Sequence, residues 1–419
     1  MKTTLAFLFA AAAGAFAVDV PGNLTVHEWG TFTSVQGGDG ALLRWRTSQI
    51  GDLPRFVYDW FRPGLGRQAS SQLILGKGGL SGLQRMETPV IYFYSDTEFN
   101  TDVEVRFPSG LITEWYPQAA QIGPCSLKTN AEAGLKKHTA KESRIHWQNV
   151  RVLPAKNNVE AAALLPVHTN GAHYFAARET DSAFLRVNNL SPTNAADELE
   201  KFLFYRGTGD FKTPLVATMS DDGTVSVENT GTTRLAHLFL LHVESGKAEW
   251  AHLEKLDSLT RQPWRRLNSV PASERPVVAQ VQTQIGDALA DALAGEGLFP
   301  AEARAMVKTW SNAWFTEEGV RVLYILPRSW TDEILPLKLK PQPRDLVRVM
   351  VGRAEIITPE LQKELAAQLQ LANAGDGPAK ERLTEYWKKL GRFANPAMQL
   401  ANTLLERDQH NPLATQAGN

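Results

Sequence analysis

The chain of 419 residues contains one cysteine, Cys125, so no intramolecular disulfide can form. A disulfide-stapled scaffold is excluded, and a lone thiol after Gly123-Pro124 reads as a small buried hydrophobe. Charge of either sign is not in excess. Forty-four Lys and Arg stand against 45 Asp and Glu, a formal charge of −1, which gives no electrostatic drive toward nucleic acid. The basic stretches Lys136 to Arg144 and Arg261 to Arg266 are local and read as solvated loops. Beyond Ala17 no run has the length and lack of charge of a membrane span. A serine-nucleophile elbow, a Walker loop, a Rossmann fingerprint, HExxH and CxxC are all missing. The enzyme classes most visible in a sequence are thereby disfavoured.

What is present begins with an export signal. Lys2, the apolar run Leu5 to Phe16 and the small-x-small site Ala15-Phe16-Ala17 are the charged start, core and cleavage site of a signal peptide. The mature chain is expected to start near Val18 and to be soluble, exported, and periplasmic or extracellular.

Punctuation divides the rest. Residues 18–270 read as a β-rich domain, 271–357 as a helix pair plus buried strands packing on it, and 358–419 as a helical tail. Hairpins are expected at Pro108-Ser109-Gly110, Asn170-Gly171 and Asp222-Gly223, and a turn at Ser245-Gly246-Lys247. Val278, Val281, Ile285 and Leu289 fall at helical spacing, and Pro300 opens a second helix with Trp310 and Trp314 on its core stripe. Val320 to Leu326 and Leu346 to Ile357 read as buried strands. Thr358-Pro359, Gly377-Pro378 and Asn395-Pro396 each start a helix, and the leucines from Leu383 to Leu404 resemble a single HEAT-type helix pair. The fold class is therefore mainly β, an antiparallel sandwich or open barrel body, with α/β completion and a helical C-terminal tail.

Chemistry concentrates in Val26 to Val35. With a period of two, Glu28 shares a face with Val26, Gly30 and Phe32, while His27 shares the other with Trp29 and Thr31. A carboxylate among apolar side chains is either a general acid or is held by a fixed donor such as Arg. His27 and Trp29 form half of a ligand surface or one face of an amphipathic strand.

Two further groupings stand out. An Asn170-Gly171 hairpin would set His168 across from His173, close enough to share zinc or copper if a third ligand arrived. At the far end of that strand, on the order of 20 Å away, Arg178, Glu179 and Asp181 offer two carboxylates beside a guanidinium. Glu114-Trp115-Tyr116 sets an acid beside aromatics, as sugar-binding surfaces do. His237 and His242 differ by an odd number within one strand and point to opposite faces.

The run His27 to Val35, just after the signal peptide, resembles one found in uncharacterised exported bacterial proteins. The runs Phe107 to Pro117, Ala176 to Asp181, Val320 to Arg328 and Leu346 to Glu360 extend the resemblance over most of the mature chain. It implies export and carries no activity or catalytic residue.

Two functions are expected from these residues. The first is a non-catalytic binding protein for a glycan, an envelope component or a protein partner, the last through the C-terminal helices. Its contact residues would be His27, Trp29, Trp115 and Arg178. The second is an extracytoplasmic hydrolase, with Glu28 and Glu179 or Asp181 as catalytic carboxylates, or a metal on His168 and His173.

Overall fold

The computed structural model describes residues 23–47, 53–59, 80–123, 142–167, 172–188 and 196–410. Its longer strands are β1 (Thr25–Gly37), β2 (Gln84–Tyr94), β3 (Phe99–Phe107), β4 (Gly110–Tyr116), β5 (Ser143–Leu153), β6 (Leu203–Gly209), β7 (Leu235–Glu244), β8 (Lys247–Leu256), β9 (Gly319–Leu326) and β10 (Asp345–Ile357). The helices are α1 (Ala172–Ala176), α2 (Val278–Gly295), α3 (Pro300–Phe315), α4 (Arg328–Ile334), α5 (Pro359–Asn373), α6 (Gly377–Leu390) and α7 (Ala394–His410).

β1 lies at the middle of a 10-stranded mixed sheet ordered β8-β7-β9-β10-β1-β2-β6-β4, with Tyr58–Asp59 at the far edge and the short strand Leu42–Leu43 paired to the end of β1. It pairs in parallel with β10 and antiparallel with β2. Every residue of β1 after Thr25 is buried, because both faces of the sheet are covered. On one face Val26 and Phe32 join Val103, Val105, Ile145 and Trp147 of a second, 6-stranded sheet built on β3 and β5. On the other, Trp29 joins Val281, Ile285 and Leu289 of α2 and Met306, Trp310 and Trp314 of α3. The result is sheet, sheet and helix in three layers. The mainly β class with α/β completion holds, and the body is an open sandwich.

Several expectations survive. The Asp222-Gly223 hairpin joins Leu215–Met219 to Thr224–Asn229. β7 and β8 turn through Ser245 and Gly246, both with positive φ, as a tight two-residue loop requires. Trp310 and Trp314 are core, and β9 and β10 are buried strands.

One hairpin does not form as read. β3 and β4 do not pair. β3 joins β5 in the second sheet and β4 joins β6 in the large one, so Pro108-Ser109 is a corner between layers. A Cβ on Gly110 would stand 2.2 Å from the Phe107 ring, so only glycine turns this corner. The Asn170-Gly171 loop and His168 lie outside the described residues. No strand begins at His173, which sits in α1. Tyr174 of α1 and Ala177, in the turn that follows it, are both buried in the core beneath the helix layer.

The tail packs on the body. Val35 and Ile357, at the end of the β1–β10 pair, form a core with Trp45, Leu365, Ala366, Phe393, Ala397, Met398 and Ala401. Thr358 and Asp376 cap α5 and α6, accepting from Leu361 N at 3.2 Å and Ala379 N at 2.7 Å.

Candidate functional site

Glu28 faces the second sheet, directly opposite Arg348 of β10. Arg348 Nε donates to its Oε2 at 2.6 Å, and Tyr205 Oη donates to its Oε1 at 2.5 Å. The guanidinium also reaches Asp332 Oδ1 and the Leu335 carbonyl, both at 2.7 Å. Burial, then the charge of Glu28, holds the Tyr205 hydroxyl well above its ordinary pKa, so it remains a donor. Both carboxylate oxygens are occupied in an apolar core. This is the fixed-donor arrangement, and it leaves Glu28 no access to a substrate.

His27 points the other way, beneath α3. Its Nδ1 lies 2.6 Å from Glu302 Oε2, and both residues are buried. Glu302 occupies the first turn of α3 and also accepts from Phe299 N at 2.9 Å, so one carboxylate caps the helix and orients the imidazole. The His27 ring lies 4.4 Å from the Phe299 ring and 5.4 Å from that of Tyr94. The Tyr94 hydroxyl lies against the Glu302 carboxylate. Burial, then the Glu302 charge, raises the Tyr94 pKa far above the phenol range. The amphipathic-surface reading of His27 and Trp29 is corrected: α2 and α3 bury that face because its apolar stripe must be covered.

Outside this pair opens a groove. Tyr94, Asp181, Phe299, Pro300, Ala301 and Arg304 line a cleft of about 420 Å³. Tyr94 and Asp181 also border a hollow of about 340 Å³ that continues over Ser95, Asp96 and Pro154 to Asn157. On the other side Ala301 and Arg304 border a third, of about 450 Å³, reaching Glu179 and Lys308. Phe299 is 42% exposed, a large apolar ring offered to this groove. Carboxylate, guanidinium and aromatic groups thus share one cleft, and an amide borders the adjoining hollow.

The other candidates are placed as follows. Glu179 is exposed and binds Lys308 Nζ at 2.6 Å, so it borders the same groove as Asp181. The extended strand expected to separate it from His173 is replaced by α1 and a turn in which Glu179 N donates to Ala176 O at 3.1 Å. Arg178 is committed to Glu200 through Nε and Nη2, at 2.9 and 2.6 Å, and to the Pro166 carbonyl. Trp29 and Trp115 are fully buried, Trp115 beneath Tyr58, so neither presents a face to a ligand. Glu114 pairs with Arg206. No group of three or more His, Cys, Asp or Glu with metal-holding geometry occurs among the described residues, and His173 lies beside Trp310, with ring centroids 6.3 Å apart.

Tyr94, Phe299, Glu302 and Arg304 were not singled out in the sequence. Glu302, two residues after the helix-opening Pro300, carried a usable capping signal.

No family model and no curated protein matches the chain. Among solved structures it is similar to the Fcho1 Mu homology domain of Danio rerio with bound Eps15 peptide. That match has 7% identity and a TM-score of 0.28, and covers 81% of this chain and 99% of that one. It is also similar to the yeast delta-COP-I mu-homology domain complexed with a Dsl1 WxWxV peptide. Here the identity is 7%, the TM-score is 0.26, and coverage is 81% of this chain and 100% of that one. At these TM-scores neither likeness bears on the fold or function of this chain.

Proposed function

We propose that this is an exported, non-catalytic binding protein that takes a glycan of the cell envelope in the groove between Tyr94, Asp181 and the start of α3. Export is supported by Lys2, the apolar run Leu5 to Phe16 and the Ala15-Phe16-Ala17 site. The observation that carries the binding reading is the exposed Phe299 ring set beside Tyr94, Asp181 and Arg304 in one cleft. Sugars present apolar C–H faces that pack on aromatic rings, and hydroxyls that bond carboxylates, amides and guanidinium groups. Lys156 and Asn157 extend the polar border toward neighbouring sugar units. The test is titration of the purified mature chain with envelope-derived oligosaccharides. Phe299→Ala and Asp181→Asn are expected to weaken binding at least tenfold, while Lys363→Ala on the tail leaves it unchanged. Absence of binding, or an unaffected Phe299→Ala, overturns the reading.

A second reading, an extracytoplasmic hydrolase, rests on His27 instead of Glu28. A buried carboxylate orients the imidazole through Nδ1, the arrangement of an oriented base. Turnover of the bound oligosaccharide that His27→Gln abolishes would establish it. Binding without turnover leaves the first reading standing.

A further inference from the structure

His237 and His252 meet on the outer strand pair of the large sheet, away from the groove. β8 is the edge strand, and His252 on it is exposed. His237 has φ +49° and stands where the pairing of β7 with β9 slips by one residue, between Ala236 and Leu238. Such a bulge re-aims the side chain it carries, here toward β8. The imidazoles come to lie 8° from parallel with His237 Nδ1 3.2 Å from His252 Nε2. Phe239 stacks on His252 at 4.4 Å and 8°, which holds that ring's orientation. Ala236 pairs with Lys255 and Leu238 with Leu253, so Glu254 lies across from His237 on the strand pair.

We propose that His237 and His252 form a two-histidine zinc site, with Glu254 supplying negative charge beside it. Two imidazole nitrogens bound to zinc at about 2.05 Å subtend close to the tetrahedral angle when they are about 3.3 Å apart. The observed separation is 3.2 Å, so the rings stand at bite distance before any ion arrives. Without an ion, one facing nitrogen donates a proton to the other. On binding, that ring moves its proton to its far nitrogen, both facing lone pairs enter the zinc shell, and no net proton is released. The remaining positions on zinc stay open to water, as in sites that present the ion to an outside ligand.

The experiment is calorimetric titration of the purified mature chain with zinc chloride at neutral pH. His237→Asn tolerates the positive φ that alanine would strain, and His252→Gln keeps the strand surface polar. His146→Gln, on β5 of the second sheet, serves as the control. One saturable site is expected, weakened at least tenfold in each of the first two variants and unchanged in the control. Smaller losses in either variant, or no saturable binding by the natural chain, overturn the proposal. Diethylpyrocarbonate labelling of the natural chain gives a second readout independent of variant folding. Zinc is expected to protect His237 and His252, and equal labelling with and without zinc rejects the site.

Discussion

Arg348 and Glu28 face each other across the parallel pairing of β10 and β1, both buried, with Nε donating to Oε2 at 2.6 Å. They are 320 residues apart in sequence, and their contact ties the first strand of the sheet to the last. The pair is a structural bond because Tyr205 and Leu335 satisfy the groups the two leave over.

Removing one partner strands the other charge. Arg348→Met is expected to destabilise the protein by about 3–5 kcal/mol, while Glu28→Gln combined with Arg348→Met recovers part of that loss. Urea unfolding measures both. A single-variant loss below about 1 kcal/mol would show that the pair carries no such weight.

Gly30 admits close neighbours on the same strand. An added Cβ would lie 2.9 Å from Pro89 Cα, a backbone atom that cannot swing aside. Gly30→Ala is therefore expected to cost about 1–3 kcal/mol through displacement of β2 from β1. Thermal unfolding checks it, and an unchanged midpoint rejects it.

Acid should loosen the junction between tail and body. Glu87 is fully buried, and burial alone would raise its pKa, but Arg392, Arg85 and Arg353 together hold it below the ordinary value. Glu317 is lowered in the same way, by Arg353 and Arg392 against its own burial. The unfolded chain binds these protons more readily, so their contribution is complete above about pH 4.3 and is lost as pH falls through the folded values. Glu198, raised by burial, acts in the opposite sense, since protonation relieves it. The urea midpoint is expected to fall between pH 5 and pH 3, and less steeply in Arg392→Met. Equal midpoints at both pH values would contradict the ion network's role.

Phe393 is the apolar peg of the tail. It is buried, stands 5.7 Å from Trp45 between ring centroids, and carries the Arg353 and Arg392 guanidiniums over its ring at 5.1 and 4.8 Å. Phe393→Ala is expected to cost about 3–5 kcal/mol and to expose the segment near Thr358 to limited proteolysis. A variant that resists protease as the natural chain does would show that the remaining tail contacts suffice.

Local chemistry was read correctly wherever it was sufficient by itself. Prolines at the first turn placed α3 and α5, the run Ser245-Gly246-Lys247 placed the β7–β8 turn, and unbroken apolar runs placed β9 and β10. The readings failed where two solutions were locally equal. The segment from Val103 to Tyr116 looks the same as a hairpin or as a corner between sheets, and only the availability of β5 and β6 as partners chose the corner. His173 to Asp181 was assigned to a strand although Tyr174 and Ala177 also fit a helical spacing.

The sequence by itself determined the alternation in β1 that sends Glu28 to one side and His27 to the other, since the pleat requires it. It could not say what waits on each side. The partners, Arg348 at a separation of 320 residues and Glu302 at 275, are brought there by the parallel closure of β10 on β1 and by the helix layer laid across the sheet. Those placements come from burying both faces of a central strand. That is a property of the whole chain's packing, and no local pattern of residues records it.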